Sequence, residues 1–255
     1  MTSIREGFHG GDLDPSLWLA EYLPHWTSPE RSRARYEVTP QGVELRIEAD
    51  QPSWLPEELE MRVSNLQTAA FSGEVGSAVG QHHHREGLSV VTAVEPFVGW
   101  VASAGWVEVT ASASTDPDCM FAVWLVGLEA DGPESSSEIC VAEVYGKDIH
   151  GSISLVTSGI KAHGDPRVRT DMREDVPVGV DASKASTYRA QWADGQTVLT
   201  LNGFVLAEID QAPTTPLQLM ISLFEFPSSS QRTPGDYPKT AVVHSVQGEG
   251  LVPVT

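Results

Sequence analysis

The segments of this chain able to form regular structure are short and read with the two-residue period of a β-strand, which leaves a layered sheet protein as the fold open to it. Val43-Glu44-Leu45-Arg46-Ile47-Glu48 alternates apolar and polar positions, as does Trp106-Val107-Glu108-Val109-Thr110-Ala111-Ser112. Successive side chains of a strand point to opposite faces, so this pattern suits a sheet with one buried side. Met120-Phe121-Ala122-Val123-Trp124-Leu125-Val126 is apolar throughout, as a strand covered on both faces would be. Further strands are expected over Tyr188–Trp192, Thr197–Leu201 and Phe204–Ala207, the last two joined by Asn202-Gly203, a dipeptide suited to a tight hairpin. Leu217–Phe226 and Thr240–Val246 complete the set. No window of about a dozen residues carries a helical apolar stripe, and 22 Gly with 17 Pro supply the turns. The pattern predicts an all-β protein, a two-sheet antiparallel β-sandwich of jelly-roll type, with residues 1–255 as a single domain. Ser228–Asp236 reads as a late loop, not a boundary.

Composition narrows the partners. The net charge of −19 argues against nucleic acid or an anionic membrane, both polyanions, and is indifferent to a neutral polysaccharide. No segment approaches the roughly 18 consecutive apolar residues of a membrane helix. Met1–Phe8 lacks the apolar stretch of a signal peptide, so the chain as written is expected in the cytoplasm, with loss or removal of a signal left open. Two cysteines, Cys119 and Cys140, form neither a metal signature nor a disulfide framework. Both fall in expected strands as buried thiols, and they could pair only across neighbouring strands with suitable geometry.

The chemistry concentrates in Ser137-Glu138-Ile139-Cys140-Val141-Ala142-Glu143-Val144-Tyr145-Gly146. Glu138 and Cys140 share a face of such a strand. Glu143 would point the other way in a regular strand, but one β-bulge adds a residue and returns it to the face of Glu138. Two carboxyl groups about 5 Å apart are what retaining glycoside hydrolysis needs, one to attack and one to protonate the leaving oxygen. The bland alternative is a solvated strand with a Glu at each end.

The run resembles the active-site strand of glycoside hydrolase family 16, the laminarinase-like enzymes, which read Glu-hydrophobic-Asp-x-x-Glu with a bulge before the last Glu. The resemblance extends along most of the chain. Phe8 and Leu13-Asp14-Pro15-Ser16-Leu17-Trp18 are similar to the family's opening turn, and Gly105–Val109 and Ala122–Leu125 to its Gly-aromatic and Ala-Phe-Trp strands. Tyr188, Trp192, Asn202-Gly203 and Gln218–Glu225 follow in the family's order. The resemblance implies a concanavalin A-like sandwich, Glu138 as nucleophile and Glu143 as general acid/base. The family's central Asp is Cys140 here, a neutral, weakly donating thiol. That departure implies a slower enzyme or a shifted pH optimum, and turnover that rises in Cys140→Asp unless the site is rebuilt around the thiol. A structural Ca²⁺ of the family is not expected, because its Asp is replaced in Val242-Val243-His244 and neutral His suits that ion poorly. No other cofactor is implied.

Flat sugar faces call for aromatic partners, and Trp124, Trp100, Trp106 and Trp54 are the candidates; Trp192, mid-strand, is assigned to the core. Lys161 and His163, in Gly159–Asp165, are candidates for the residue after the catalytic strand that approaches substrate in the family. Arg62 and Glu108 are further polar candidates. In His82-His83-His84 only His82 and His84 would share a face of a strand, so the run is read as a loop or sugar-contacting rim and no metal site is expected. Groove ends are expected from Gln51–Leu59, Gln81–Gly87 and Ser228–Asp236. Three readings stay open: an endo-acting β-glucanase on β-1,3 or mixed β-1,3/1,4 linkages, a non-catalytic carbohydrate-binding protein, and a transglycosylase.

Overall fold

The computed structural model describes residues 1–55, 60–130, 132–227 and 233–252. Two antiparallel sheets are packed face to face. The first runs, in spatial order, Phe204–Ile209, Gln196–Leu201, Ser186–Ala193, Ala104–Ser112, Lys239–Leu251, Gly42–Ile47 and Arg35–Thr39, with Thr2–Glu6 also paired to Lys239–Leu251. The second runs Ile149–His150, Ile153–Lys161, Glu138–Tyr145, Cys119–Gly127, Leu217–Glu225 and Arg62–Gln67; Asp171–Val178 lies beside Ile153–Lys161, and Val101–Ala102 beside Leu217–Glu225. The expected sandwich is thus present, and its strands cover every run singled out above. The last strand extends over 13 residues, well beyond Thr240–Val246, because it pairs with three partners in turn. Asn202 and Gly203 take positive φ (48° and 81°), the left-handed pair that a tight hairpin turn requires. The one α-helix among the described residues is the four-residue Pro29–Ser32, and none is long and apolar enough to cross a membrane.

Burial follows side-chain parity. In Cys119–Gly127 the odd residues, Cys119, Phe121, Val123 and Leu125, enter the core between the sheets with Leu217, Leu219, Ile221 and Leu223 of the adjacent strand. The even residues, Met120, Ala122, Trp124 and Val126, face outward, yet they are buried too, under a second cluster that includes Tyr22, Leu23, Trp26, Trp54, Leu88 and Val90. This is why the run lacks alternation: loops cover its outer face. Apolar side chains buried at about 25 cal/mol per Å² on both faces make these strands the stable centre that fixes the site. Trp192 and Tyr188 are fully buried in the inter-sheet core, as expected for Trp192. Cys119 and Cys140 are both free: Cys119 faces the core and Cys140 the outer side, so they do not pair.

Candidate active site

The site starts from the bulge. Ile139, Val141, Ala142 and Val144 all enter the core, so Val141 and Ala142 are consecutive inward residues. The register shifts accordingly: Cys140 opposes Trp124 while Ala142 opposes Val123. Glu143 therefore returns to the face of Glu138 and Cys140, as the sequence predicts. The bulge frees backbone carbonyls, and the buried Ser158 hydroxyl donates to those of Val141 (2.9 Å) and Cys140 (3.3 Å). Opposite Cys140 stands Gly159, with φ +151°; a Cβ there would lie 2.3 Å from the Asp171 carbonyl oxygen, so only glycine fits.

Glu138, Cys140 and Glu143 each offer one polar atom within 4.8 Å of the others. Directly across the ladder from Glu138 is Lys161, whose ammonium donates to Glu143 Oε1 at 2.9 Å and lies 3.1 Å from Glu138 Oε1. His163 holds the other oxygen, Nε2 to Glu138 Oε2 at 2.8 Å. Burial alone would raise the Glu138 pKa, but the His163 hydrogen bond and the Lys161 charge outweigh it and hold the carboxyl down at about 2. Nε2 of His163 therefore carries the proton of that bond. Lys161 moves upward: burial opposes its charge, and the Glu138 and Glu143 carboxylates more than compensate. Burial first, then the two carboxylates, push the Cys140 thiol well above its ordinary value, so it stays neutral; its Sγ is directed to the Thr157 carbonyl at 3.7 Å.

These groups face a pocket of about 200 Å³ lined by Tyr22, Met61, Met120, Trp124, Phe224 and Phe226 on the apolar side and by His82, Glu138, Glu143 and Lys161 on the polar side. Trp124 forms part of its wall; the indole Nε1 donates to Ser222 Oγ (3.0 Å), which donates to Asn65 Oδ1 (2.7 Å). Trp54 lies behind it, its ring 4.7 Å from Tyr22 and 5.2 Å from His84.

Two aromatic candidates belong elsewhere. Trp100 is 1% exposed in the inter-sheet core, so it is a packing residue and not a sugar platform. Trp106 lies on the outer face of the other sheet under the Arg189 guanidinium (4.6 Å), beside Glu108, which pairs with Arg189 at 2.8 Å. Neither Trp106 nor Glu108 reaches the groove. Arg62 is engaged by Glu225 and the Tyr237 hydroxyl. Both ring nitrogens of His244, at the position the resemblance associates with Ca²⁺, are taken up by Ser112 and the Gln41 carbonyl.

The histidine run is not a strand. His82 takes φ +54°, which breaks the alternation and turns its ring into the site, 5.3 Å from Trp124 and 5.0 Å from His163. Burial holds that ring neutral, its pKa lowered to about 3. The buried Glu129 carboxylate clamps the loop, accepting from the His82 backbone N–H at 2.5 Å and lying 3.3 Å from His83 Nδ1. Of the expected rim Gln81–Gly87, His82 lines the pocket; Pro56–Leu59 and Ser228–Arg232, parts of the other two expected rims, lie outside the described residues. Tyr22, Glu129 and the Met61–Phe224 side were not foreseen. Tyr22 and Glu129 sit in segments with no strand or motif signal, and only the tertiary fold brings them in.

No family model matches the chain, and no curated protein sequence does. Solved structures match well. The GlcNAcα1-4Gal-releasing endo-β-galactosidase of Clostridium perfringens superimposes at TM-score 0.81 and 21% identity over 96% of this chain. This chain spans 61% of that protein's length. The Bacillus licheniformis β-glucanase gives 0.62 at 17% identity, covering 96% of this chain and 97% of that one. A non-specific endo-β-1,3(4)-glucanase described as belonging to family 16 gives 0.63 at 12%, covering 96% and 89%. The chain therefore has the sandwich fold of the family 16 glycoside hydrolases.

Proposed function

We propose that this protein is a retaining, endo-acting glycoside hydrolase of β-linked glycans, with Glu138 as nucleophile and Glu143 as general acid/base. One observation carries the reading: across a bulge, Glu138 and Glu143 bring carboxyl oxygens within 4.8 Å of each other in a pocket walled by Trp124. That spacing suits direct attack and leaves too little room for the intervening water of an inverting enzyme. Glu138, held ionised by His163 and Lys161, attacks the anomeric carbon while Glu143 gives its proton to the departing glycosidic oxygen. Glu143 then takes a proton from water, the resulting hydroxide attacks the anomeric carbon, and the Glu138 ester is released.

Lys161 is the group through which this site manages without the family's Asp. Before attack its ammonium lies between the Glu138 carboxylate and the protonated Glu143 carboxyl, whose carbonyl oxygen accepts from it. Once Glu138 is esterified it has lost its charge, and the ammonium remains to stabilise the newly ionised Glu143. A neutral Cys140 takes no part in that exchange.

β-1,3 or mixed β-1,3/1,4 glucan is the substrate the motif resemblance supports. A second reading, a β-galactoside, is favoured by the higher similarity to the endo-β-galactosidase, 0.81 against 0.62 for the β-glucanase. The test is reducing-end release from laminarin, lichenan, barley β-glucan and a β-galactoside-containing mucin O-glycan preparation, with Glu138→Gln as control. Release that disappears in the variant is expected. No release from any polymer by the folded protein, together with binding to one of them, would replace hydrolysis with the carbohydrate-binding reading.

A further inference from the structure

His82 has no part in the proposed hydrolysis, and with His163 it forms a second arrangement around Glu138. His82 and His163 both adopt positive φ (54° and 47°), and their rings meet edge-on beside Glu138. One ring nitrogen from each and one Glu138 carboxylate oxygen lie within 4.8 Å of one another. Within this group the His163 Nε2–Glu138 Oε2 contact of 2.8 Å is closed by a single proton. His82 Nδ1 is buried with no hydrogen-bond partner among the described residues. A buried imidazole nitrogen without a partner calls for an explanation, since such groups are nearly always satisfied.

We propose that His82, His163 and Glu138 constitute a binding site for a zinc-class divalent ion, which on entering takes the place of the proton between His163 and Glu138. Two imidazoles and one carboxylate are a donor set suited to Zn²⁺ and poorly suited to Mg²⁺ or Ca²⁺, which prefer oxygen. Ligand bonds of about 2.0–2.1 Å in a tetrahedron space the donor atoms roughly 3.3 Å apart. The His163–Glu138 pair then opens by about half an ångström, and His82 swings toward it from within the cluster. Lys161 does not stand in the way, because it holds Oε1 while the ion would take Oε2. Around the cluster the carboxyl groups of Glu129, Glu138 and Glu143 outnumber the single ammonium. The pocket provides a fourth position for a solvent ligand.

One further observation fits. The loop that carries His82 is anchored by Glu129 through the His82 N–H, so the ligand is held in place before the ion arrives. His84, the partner that strand geometry would assign to His82, is exposed and lies against Trp54 instead. With the ion seated, Glu138 is a metal ligand and no longer free to attack, so the site would act as an inhibitory one. The binding claim stands apart from the hydrolase reading and is tested without any glycan.

The experiment is a Co²⁺ titration of the full-length protein, followed by visible absorption and equilibrium dialysis, with Zn²⁺ as competitor. One Co²⁺ per chain, with the d–d bands of a four-coordinate ion and displacement by Zn²⁺, is expected. His82→Gln and His163→Gln should each weaken binding by roughly ten-fold or more, and His84→Ala should leave it unchanged. Thermal melts confirm that each variant is folded. Should His82→Gln fail to fold, His163→Gln and Glu138→Gln carry the test. The absence of saturable uptake, or uptake that persists in His163→Gln or is lost in His84→Ala, would overturn the site.

Discussion

The outer faces of the two sheets are built by the same strand parity and meet opposite fates. On one, Glu108, Arg189 and Trp106 form a half-buried ladder open to solvent at its edge: the carboxylate pairs with the guanidinium, which stacks on the indole. On the other, Glu138, Lys161 and Trp124 repeat that trio of acid, base and indole, but the 22–26 segment, Trp54 and the His82 loop cover the acid and the indole, leaving Glu138 3% and Trp124 6% exposed while the Lys161 side chain keeps 33%. Water screens the first trio, and its pair contributes about 0–1 kcal/mol. Burial strips water from the second, where the His163 hydrogen bond and the Lys161 charge act at full strength and hold the Glu138 carboxyl down at about 2. The sheet supplies both faces; the loops decide which one acquires chemistry.

Substituting matched residues on the two faces tests this. The largest contrast is Glu138→Gln against Glu108→Gln. The first should lower glycan turnover on the order of 10⁴-fold or more, and the second should leave kcat unchanged. Comparable losses in both would mean that the buried face is not where the reaction occurs.

Next is Lys161→Met against Arg189→Met. Removing Lys161 leaves Glu138 and Glu143 facing each other without the shared ammonium, and kcat should fall on the order of 10²-fold; Arg189→Met should change stability by about 1 kcal/mol or less. Acid melts add a second readout. Glu138 is held at about 2 in the folded protein against an ordinary value of 4.5, so it binds fewer protons folded than unfolded between these limits. Its contribution is present above about pH 4.5 and is lost as pH falls toward 2. In Lys161→Met the folded value moves back toward the ordinary one, so the acid-dependent loss should be smaller and complete at higher pH, and in Arg189→Met the profile should match wild type. A wild-type acid profile in Lys161→Met would show that the ammonium is not what holds the carboxylate ionised.

A smaller effect separates folding from function. Gly159 and Gly105 occupy the same kind of position, one on each sheet: φ is +151° and +146°, and an added Cβ would lie 2.3 Å and 2.1 Å from a carbonyl oxygen across the ladder. Alanine at either should cost about 2–3 kcal/mol in urea unfolding. Gly159→Ala should also reduce kcat, because the displaced ladder carries Cys140 and the bulge, whereas Gly105→Ala should not. Equal kinetic effects would mean that the site tolerates or amplifies strain from anywhere in the sandwich.

The sequence carried most of the fold because the deciding signal is local. Parity in Val43–Glu48 and in Trp106–Ser112 identifies the inward side chains, and Asn202-Gly203 gives a turn. The bulge was legible as well, since Glu138 and Glu143 share a face only if the strand has one extra residue. The role of Lys161 was not legible, because its register opposite Glu138 is a pairing across 23 positions of chain. Trp100 and Trp106 were misassigned for a related reason. An indole reads the same in sequence whether it packs between sheets or lies on the wrong outer face. His82 failed differently: one left-handed residue ended the alternation on which its pairing with His84 depended. The Cys140→Asp expectation stands as a test: Sγ is directed to the Thr157 carbonyl, beside both glutamates and within the field of the Lys161 ammonium, and turnover that falls in the variant would mean that the site is built around the thiol.

The smallest contrast is Trp124→Phe against Trp106→Phe. Phenylalanine keeps an aromatic face at both positions and removes only the indole N–H and part of the ring. At Trp124 it breaks the bond to Ser222, leaving a buried hydroxyl with its remaining bond to Asn65, at a cost of about 1 kcal/mol. At Trp106 the Arg189 guanidinium can still stack, weakened by a few tenths of the roughly 0.5–1 kcal/mol of an exposed cation–π contact. Glycan affinity, measured by calorimetry in the Glu138→Gln background, should fall for Trp124→Phe and stay constant for Trp106→Phe. Because both substitutions preserve an aromatic ring, a difference in affinity reports the position of the ring and not its chemistry. Equal affinities would remove Trp124 from the pocket wall as a sugar contact and shift that role to Tyr22 and Phe224, which line the same pocket.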